Sequence, residues 1–293
     1  MGRSLWWWRI ALLALPLGVY GAFVVFPLLS SFAYSATDWN GFARDFNVLG
    51  IGNFRALARD ALFAGAMKNT VIWTAAAIIL PNGMGFLLAL VLERRVHGAS
   101  IFKSIFYLPV CLSAVVVGQI WIWIYRPDWG VLNTMLGALG LPQGQRAWLA
   151  EPGTALYAII AAWTWQQTGL SMVIYLSGLT NVPHDLLEAA QLDGARYWGR
   201  LRYVVLPMLK PATIVVVALS VINSLKGFDI VYIMTGGGPF HASDTLAMLM
   251  YDESFKRYRM GYGAAISVVL FLITLAVITI YFRQLRKLEE LTL

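Results

Sequence analysis

The sequence predicts an all-α integral membrane protein of six transmembrane helices, with a charged helical loop between the fourth and the fifth. Three observations carry that reading. Of 293 residues, 59% are hydrophobic and only 13% are charged, too little charge to cover the surface of a soluble domain. Apolar runs long enough to cross a bilayer recur at 10–34, 70–92, 105–125, 154–177, 209–226 and 264–282. The basic residues of this +7 chain gather at the ends of those runs, as topology signals do, and form no interleaved patch for nucleic acid.

In chain order, Arg3 and Arg9 flank Trp6–Trp8, aromatic residues suited to the headgroup interface. The run at 10–34 exceeds the apolar region of a signal peptide and lacks a convincing cleavage site, so it reads as an uncleaved span. Residues 38–68 form a polar loop with an expected amphipathic helix at 53–66. The second span holds Pro81, where a kink is expected. Arg94, Arg95 and Lys103 mark a short basic turn, and Pro109 lies near the start of the third span. A Gly- and Pro-rich loop at 126–153 leads into the fourth. The organisation is thus an N-terminal span with its loop (1–68) and a five-span core (69–293).

Several chemistries are excluded or disfavoured. Cys111 is alone, so no internal disulfide forms, and its apolar setting suits a structural thiol. His97, His184 and His241 are far apart and lack ligand spacing, which argues against a metal site. No G-x-x-x-x-G-K-[ST] occurs, so the chain carries no P-loop of its own.

The loop at 181–211 is the most informative stretch. Asn181 suits a helix cap and Pro183 a first turn. Good helix formers run from Asp185 to Leu192, and Asp193-Gly194 then breaks the run. A second helix from Ala195 carries Arg196, Arg200 and Arg202 among Tyr197, Trp198, Leu201 and Tyr203, ahead of Pro207 and Pro211. Two readings fit this spacing: a bent helical finger standing out of the bilayer, or an amphipathic helix lying on headgroups.

Two spans carry polar residues at helical spacing. In the fourth, Trp163, Gln166, Gln167 and Leu170 share one face; in the fifth, Ser220, Asn223, Ser224 and Gly227 do. Amides and hydroxyls exchange hydrogen bonds with sugar hydroxyls, and an indole packs on a sugar ring. The same residue types also serve as glue between membrane helices. Singly, each residue fits glue better; as two stripes flanking the loop they fit a path for a polar solute equally well. Lys226 and Asp229, at the far end of the fifth span, fit a local ion pair or part of a gate.

The loop sequence EAAQLDGA, followed by Trp198 and Leu206-Pro207, resembles the EAA loop of ABC-importer permeases, with Glu188, Ala189, Ala190, Asp193, Gly194 and Pro207 on the pattern. Leu201 and Val204 stand where that family more often has phenylalanine and isoleucine. Three further segments resemble the carbohydrate-type members: TDWNG with Gly50-x-x-Asn53-Phe54, FDIVYIMTGGGP from Phe228, and MGYGAAISVVLFLI from Met260.

The resemblance implies that the loop is a coupling helix docking on a separate ATPase subunit. It also implies both termini in the cytoplasm of a bacterial or archaeal cell, in a multi-pass protein of the inner membrane. Its partners would be a second permease (a heterodimer), two ATPase subunits that bind the ATP and Mg, an extracytoplasmic solute-binding protein, a sugar or similar solute, and lipid. The chain itself would hold no cofactor and would not be an enzyme. Similar maltose-type permeases line their path from the fourth and fifth spans. The rival class is an ion-coupled secondary carrier, which predicts essential intramembrane ionisable groups and an internal repeat, neither of them clear in the runs. A lipid-modifying membrane enzyme would need clustered acids or histidines, and Asp229, Asp244, Asp252 and Glu253 are dispersed.

Overall fold

The computed structural model describes residues 12–93 and 98–289, without the side chains of Gln143, Phe282 and 284–289. Arg3, Trp6–Trp8, Arg9, Arg94, Arg95 and His97 lie outside the described residues. Within them there is no strand, only an isolated bridge between Thr37 and Val48. The chain divides into two compact units, Met1–Phe63 with Leu249–Leu272, and Ala64–Met248 with Ile273–Leu293.

Three described helices are long and apolar enough to cross a membrane: α1 (Leu12–Ser35), α3 (Ala61–Glu93) and the Met260–Tyr281 stretch of the last helix. The number is up to five if each of two bent pairs is one span: Ala99–Cys111 with Ala114–Ile124, and Tyr197–Met208 with Lys210–Leu225. The expected fourth span is α7 (Ala155–Thr180), a helix of 26 residues. At 1.5 Å per residue it reaches about 39 Å, enough for a bilayer, yet its polar residues keep it out of that apolar set.

In the first unit, the polar loop after α1 folds back on itself. Asn53, in the short helix α2 (Gly52–Leu57), donates to the Ser35 and Thr37 carbonyls at 2.9 and 2.7 Å. The asparagine of the G-x-x-N segment therefore satisfies the backbone where α1 ends. The helix expected at 53–66 does not form as one piece. Turns at Ala58–Asp60 end α2, and Asp60 restarts the chain as α3 by accepting the Leu62 N–H at 2.8 Å. The second span thus begins nine residues earlier than the apolar run at 70–92 indicates. Tyr262 donates to the other Asp60 oxygen at 2.6 Å. Nearby, Glu253 is fully buried and meets Arg257 at 2.8 Å and Arg259 at 3.1 Å.

In the second unit, α7 is the element against which others pack. Its buried face joins a core of Trp73, Val117, Ile159, Trp163, Val231 and Met248. Nearer its C-terminus it joins Ala89, Leu92, Met172, Leu209 and Val216. The approach of α3 is close: a Cβ at Gly85 would lie 2.6 Å from the Ser171 Cβ. Pro81 lies inside α3 without ending it.

The expected third span is not one helix. It comprises α4 (Ala99–Tyr107), a 3₁₀ turn at Leu108–Cys111 and α5 (Ala114–Ile124), bent by 103°. Pro109 removes a donor, Leu112 is extended (φ −82°, ψ 142°), and Ser113 starts α5 by accepting the Val116 N–H. Cys111, at this break, is exposed rather than buried. The 126–153 loop holds α6 (Val131–Ala138), tied by Asn133 to the Pro127 and Arg146 carbonyls and to the Trp148 indole.

Burial raises the Asp60 pKa, but the Tyr262 hydroxyl, the Leu62 and Phe63 N–H groups and Arg259 outweigh it, so the carboxyl titrates below its ordinary value. A lowered folded pKa gives stability that is complete above the unfolded value of about 4 and lost as pH falls through the folded one. Asp60→Asn is expected to cost about 1 kcal/mol at neutral pH and to flatten the acid limb of the unfolding profile, measured by tryptophan fluorescence against temperature between pH 3 and 7.

Candidate functional site

The loop is built from two short helices and a glycine turn. The α7 helix ends with Asn181 as its C-cap, not as the N-cap expected of it. Pro183 takes the N-cap position instead, extended at ψ 130°, and α8 (His184–Leu192) follows. Asp193 closes α8 and Gly194 turns left-handed at φ +82°. The Ala195 N–H reaches the Ala190 carbonyl at 2.9 Å and the Gly194 N–H reaches Gln191 at 3.0 Å, the bond pair of a Schellman motif. Then α9 (Tyr197–Met208) begins, two residues later than Ala195, and passes through a π-helical turn at Leu201–Val205. Arg200 donates to the Gln191 side chain at 3.0 Å, pinning the second helix to the first.

The six residues of the EAA pattern do not support the core. Glu188, Ala189, Asp193, Gly194 and Pro207 are exposed and Ala190 is half-buried, while α8 buries no residue at all. Leu192 and Trp198 are 89% and 75% exposed. The loop is held from beneath by Val182, Leu201 and Leu209, which are buried. Leu201, the residue that departs from the family's usual phenylalanine, lines a groove of about 190 Å³ with Leu90, Leu179, Leu187 and Val205. Val204 is half-buried.

The two polar stripes separate into a buried half and an open half. On α7, Gln166 is buried and donates to the Leu112 carbonyl at 2.9 Å, the backbone group released where the third span breaks. Trp163 is buried against Trp73, ring centroids 5.7 Å apart. On α10 (Lys210–Leu225), Ser224 lies 3.2 Å from the Thr74 hydroxyl and Ser220 lies 3.1 Å from the Asn82 amide nitrogen. Gly227, just beyond α10, sits over the Trp73 indole. The remaining residues, Gln167, Leu170 and Asn223, are half-buried and come together around a notch of about 10 Å³ floored by Ser171 and Ser220.

Sequence reading missed the third wall. Trp73, Thr74 and Asn82, all on α3, receive Trp163, Ser224 and Ser220 in turn. One signal for it was present: an asparagine in the middle of a long apolar run. No ion pair joins Lys226 to Asp229 among the described residues; Lys226 caps α10 and Asp229 opens α11 (Asp229–Met234). The TGGGP segment is a hydrogen-bonded turn. Ser243 donates to the Gly238 carbonyl at 2.6 Å, and Asn69 donates to the Ala242 and Asp244 carbonyls. Among the described residues, no three His, Cys, Asp or Glu side chains gather as metal ligands.

A sharply bent apolar helix pair, an exposed glycine-turned loop and polar faces on the helices either side of it agree with what comparison with known proteins finds. Residues 81–289 match the family described as the binding-protein-dependent transport system inner membrane component. The chain belongs to that family. A probable ABC transporter permease of Pyrococcus horikoshii is 35% identical over 92% of each chain. A probable starch degradation products transport system permease, AmyD of Thermoanaerobacterium thermosulfurigenes, is 31% identical over 98% of this chain and 97% of its own. The fold matches a chain of a bacterial ABC transporter that imports alginate, with a TM-score of 0.83 at 22% identity, over 97% of this chain and 99% of that one. The resemblance to ABC-importer permeases is therefore correct. The chain is a multi-pass membrane permease of an ABC transport system.

Gln166→Leu tests the buried half of the stripe. It leaves the Leu112 carbonyl without its donor in an apolar interior, and a cost of about 1–3 kcal/mol is expected, read as a lowered thermal midpoint of the detergent-solubilised protein. An unchanged midpoint would show that Gln166 does not hold the broken span.

Proposed function

We propose that this chain is one permease subunit of an ATP-driven importer of sugars. It would form the translocation path with a second permease and be driven through the loop at 181–211. The observation that carries the reading is the exposed loop at 181–211, turned at Gly194 and continuous with both polar-faced helices. The name of the AmyD relative, a permease for starch degradation products, supports a carbohydrate as cargo.

In this reading Glu188, Ala189, Ala190, Asp193, Gly194 and Pro207 meet a cleft of the ATPase, and two ATPase subunits bind the ATP and Mg. The hydrolytic chemistry belongs to those partners, not to this chain. An extracytoplasmic binding protein delivers the sugar. Six spans put both termini and the loop on the cytoplasmic side of a bacterial or archaeal inner membrane, with 1–68 as an N-terminal span and outer loop and 69–293 as the permease core. Among the candidate path residues, half-buried Gln167, Leu170 and Asn223 would face the solute, with Ser220 at the floor of the notch they surround. Trp163, Gln166, Ser224 and Gly227 shape the wall behind them. ATP-driven closure of the ATPases would push the loop and rock α7 and α10 between two arrangements.

The test is to purify the tagged chain from native membranes and assay ATPase activity with maltose, maltotriose or xylose and the co-purified binding protein. A second permease and an ATPase are expected to accompany the chain, with activity stimulated by one of these sugars. Glu188→Ala should lower that stimulation about tenfold, the scale of a typical coupling energy, without unfolding the chain, since α8 buries nothing. A chain that purifies alone and carries solute down an ion gradient would replace this reading with the secondary carrier.

A further inference from the structure

The loop between α5 and α7 presents a surface that the transport mechanism does not use. Residues 129–145 contain no charged side chain, although Asp128 and Arg146 stand at either end of them. Within them Trp129, Val131, Met135, Leu139 and Leu141 are all more than half exposed. Val131, Met135 and Leu139 follow at i, i+4 and i+8, so they share one face of α6 and its C-cap. The opposite face is seated on the protein. Leu132 packs on the core that α5 and α7 share. Buried Asn133 donates to the Pro127 and Arg146 carbonyls and accepts the Trp148 indole N–H.

The exposed side keeps its polar groups internally bonded. Thr134, the polar residue on that face, donates its hydroxyl to the Gly130 carbonyl at 3.0 Å. Gly140 turns left-handed at φ +74°. The Leu141 and Gly140 N–H groups then close the helix on the Leu136 and Gly137 carbonyls, a Schellman end made without a polar side chain. Ahead of α6 the Arg126 guanidinium lies over the Trp129 ring, 5.7 Å from its centroid, a cation and an indole of the kind found at headgroup level. The place in the chain agrees. The α6 helix follows the end of α5, the second half of a bent apolar pair. Two bonds tie this loop and the end of α5 to the start of α7: the Thr154 hydroxyl donates to the Trp148 carbonyl, and the Tyr125 hydroxyl to the Ala158 carbonyl.

We infer that α6 is an interfacial helix whose exposed face has lipid as its partner. Trp129, Val131, Met135, Leu139 and Leu141 sit where acyl chains meet headgroups, and the bonds of Asn133 and Thr154 pass that anchorage to the start of α7. A protein partner suits the face less. Five side chains fall short of the about 20–30 residues that a stable protein interface uses on each side, and no charge supplies the polar rim that such an interface carries. The inference rests on the proposed six-span topology, which puts the end of α5 and the start of α7 at one membrane boundary.

The test uses the protein purified with its partners, with Cys111→Ala, in nanodiscs of phosphatidylethanolamine and phosphatidylglycerol. A nitroxide label on Met135→Cys is expected to collide more with oxygen, which concentrates in lipid, than with a water-soluble nickel chelate. The reverse order would put the face in water, and shielding from both reagents would put it against protein; either result overturns the inference. Labels at Val115, Val116 and Trp123, all exposed on α5, separate the two readings. If all three report water, α5 lies outside the bilayer and the six-span topology falls. If they report lipid while Met135 reports water, the lipid contact alone falls. Met135→Glu is expected to lower the thermal midpoint in nanodiscs by about 2–4 °C. An unchanged midpoint, as at a water-facing position, would also overturn the inference.

Discussion

A bilayer offers no water to an unpaired backbone group, so any irregular backbone at membrane depth needs a partner within the protein. The rest of this structure depends on how α7 meets that constraint. The third span breaks through 103°, and the break strands the Leu112 carbonyl. Gln166 crosses from α7 to bond it. Sixteen of the residues of α7 are buried, including Trp163, Gln166, Thr168 and Ser171, and the helix is too polar to count as a span by hydropathy alone. Its polar residues Trp163, Gln166 and Ser171 meet protein, as a polar face needs at membrane depth.

The polar contacts of the second unit form a sequence along α3. Trp73 meets Trp163, Thr74 meets Ser224, and Asn82 meets both Ser171 and Ser220. Between helices in a membrane, packing and hydrogen bonds supply the association that the hydrophobic effect supplies in water. These contacts therefore fix the register of α7 and α10 against α3. They also explain why only part of each stripe is left uncovered. A helix face wide enough to be read from spacing is wider than the strip left open once a third helix is seated on it.

How much of this was legible follows from the range of each signal. The stripes of α7 and α10 and the glycine turn at Gly194 are local patterns, and the helix spacing and the Asp-Gly pair displayed them. The third wall is long-range: Asn82 finds Ser220 across 138 positions, and a lone asparagine in an apolar run names no partner. The break at 108–113 was hidden for a different reason. Pro109 was visible, but Ser113 has apolar residues on both sides and reads as a mid-span serine rather than as the N-cap it is. Asp60 was missed likewise, because the residues around it keep helical spacing while its side chain starts a new helix. In the loop, Pro183 takes the N-cap role expected of Asn181 because α7 runs on through Thr180 and leaves Asn181 as its C-cap.

The placement of the loop decides how a push on it would travel. It is not tethered by a flexible linker at either end: α7 enters it at Asn181, and α9 leads through Leu209 into α10. At its base Leu92, Met172, Leu179, Leu209 and Val216 form one packed cluster drawn from α3, α7, α10 and the junction ahead of α10. Packed interiors change between discrete arrangements more readily than they deform continuously. In the proposed mechanism a displacement of the loop therefore reaches the Gln167–Asn223 notch as a movement of whole helices. The contacts that must then yield are the few hydrogen bonds around Asn82, and these are neutral and cheap to exchange. A buried ion pair at the same place would cost several kcal/mol to open, which would suit a fixed scaffold and not a gate that opens on every cycle.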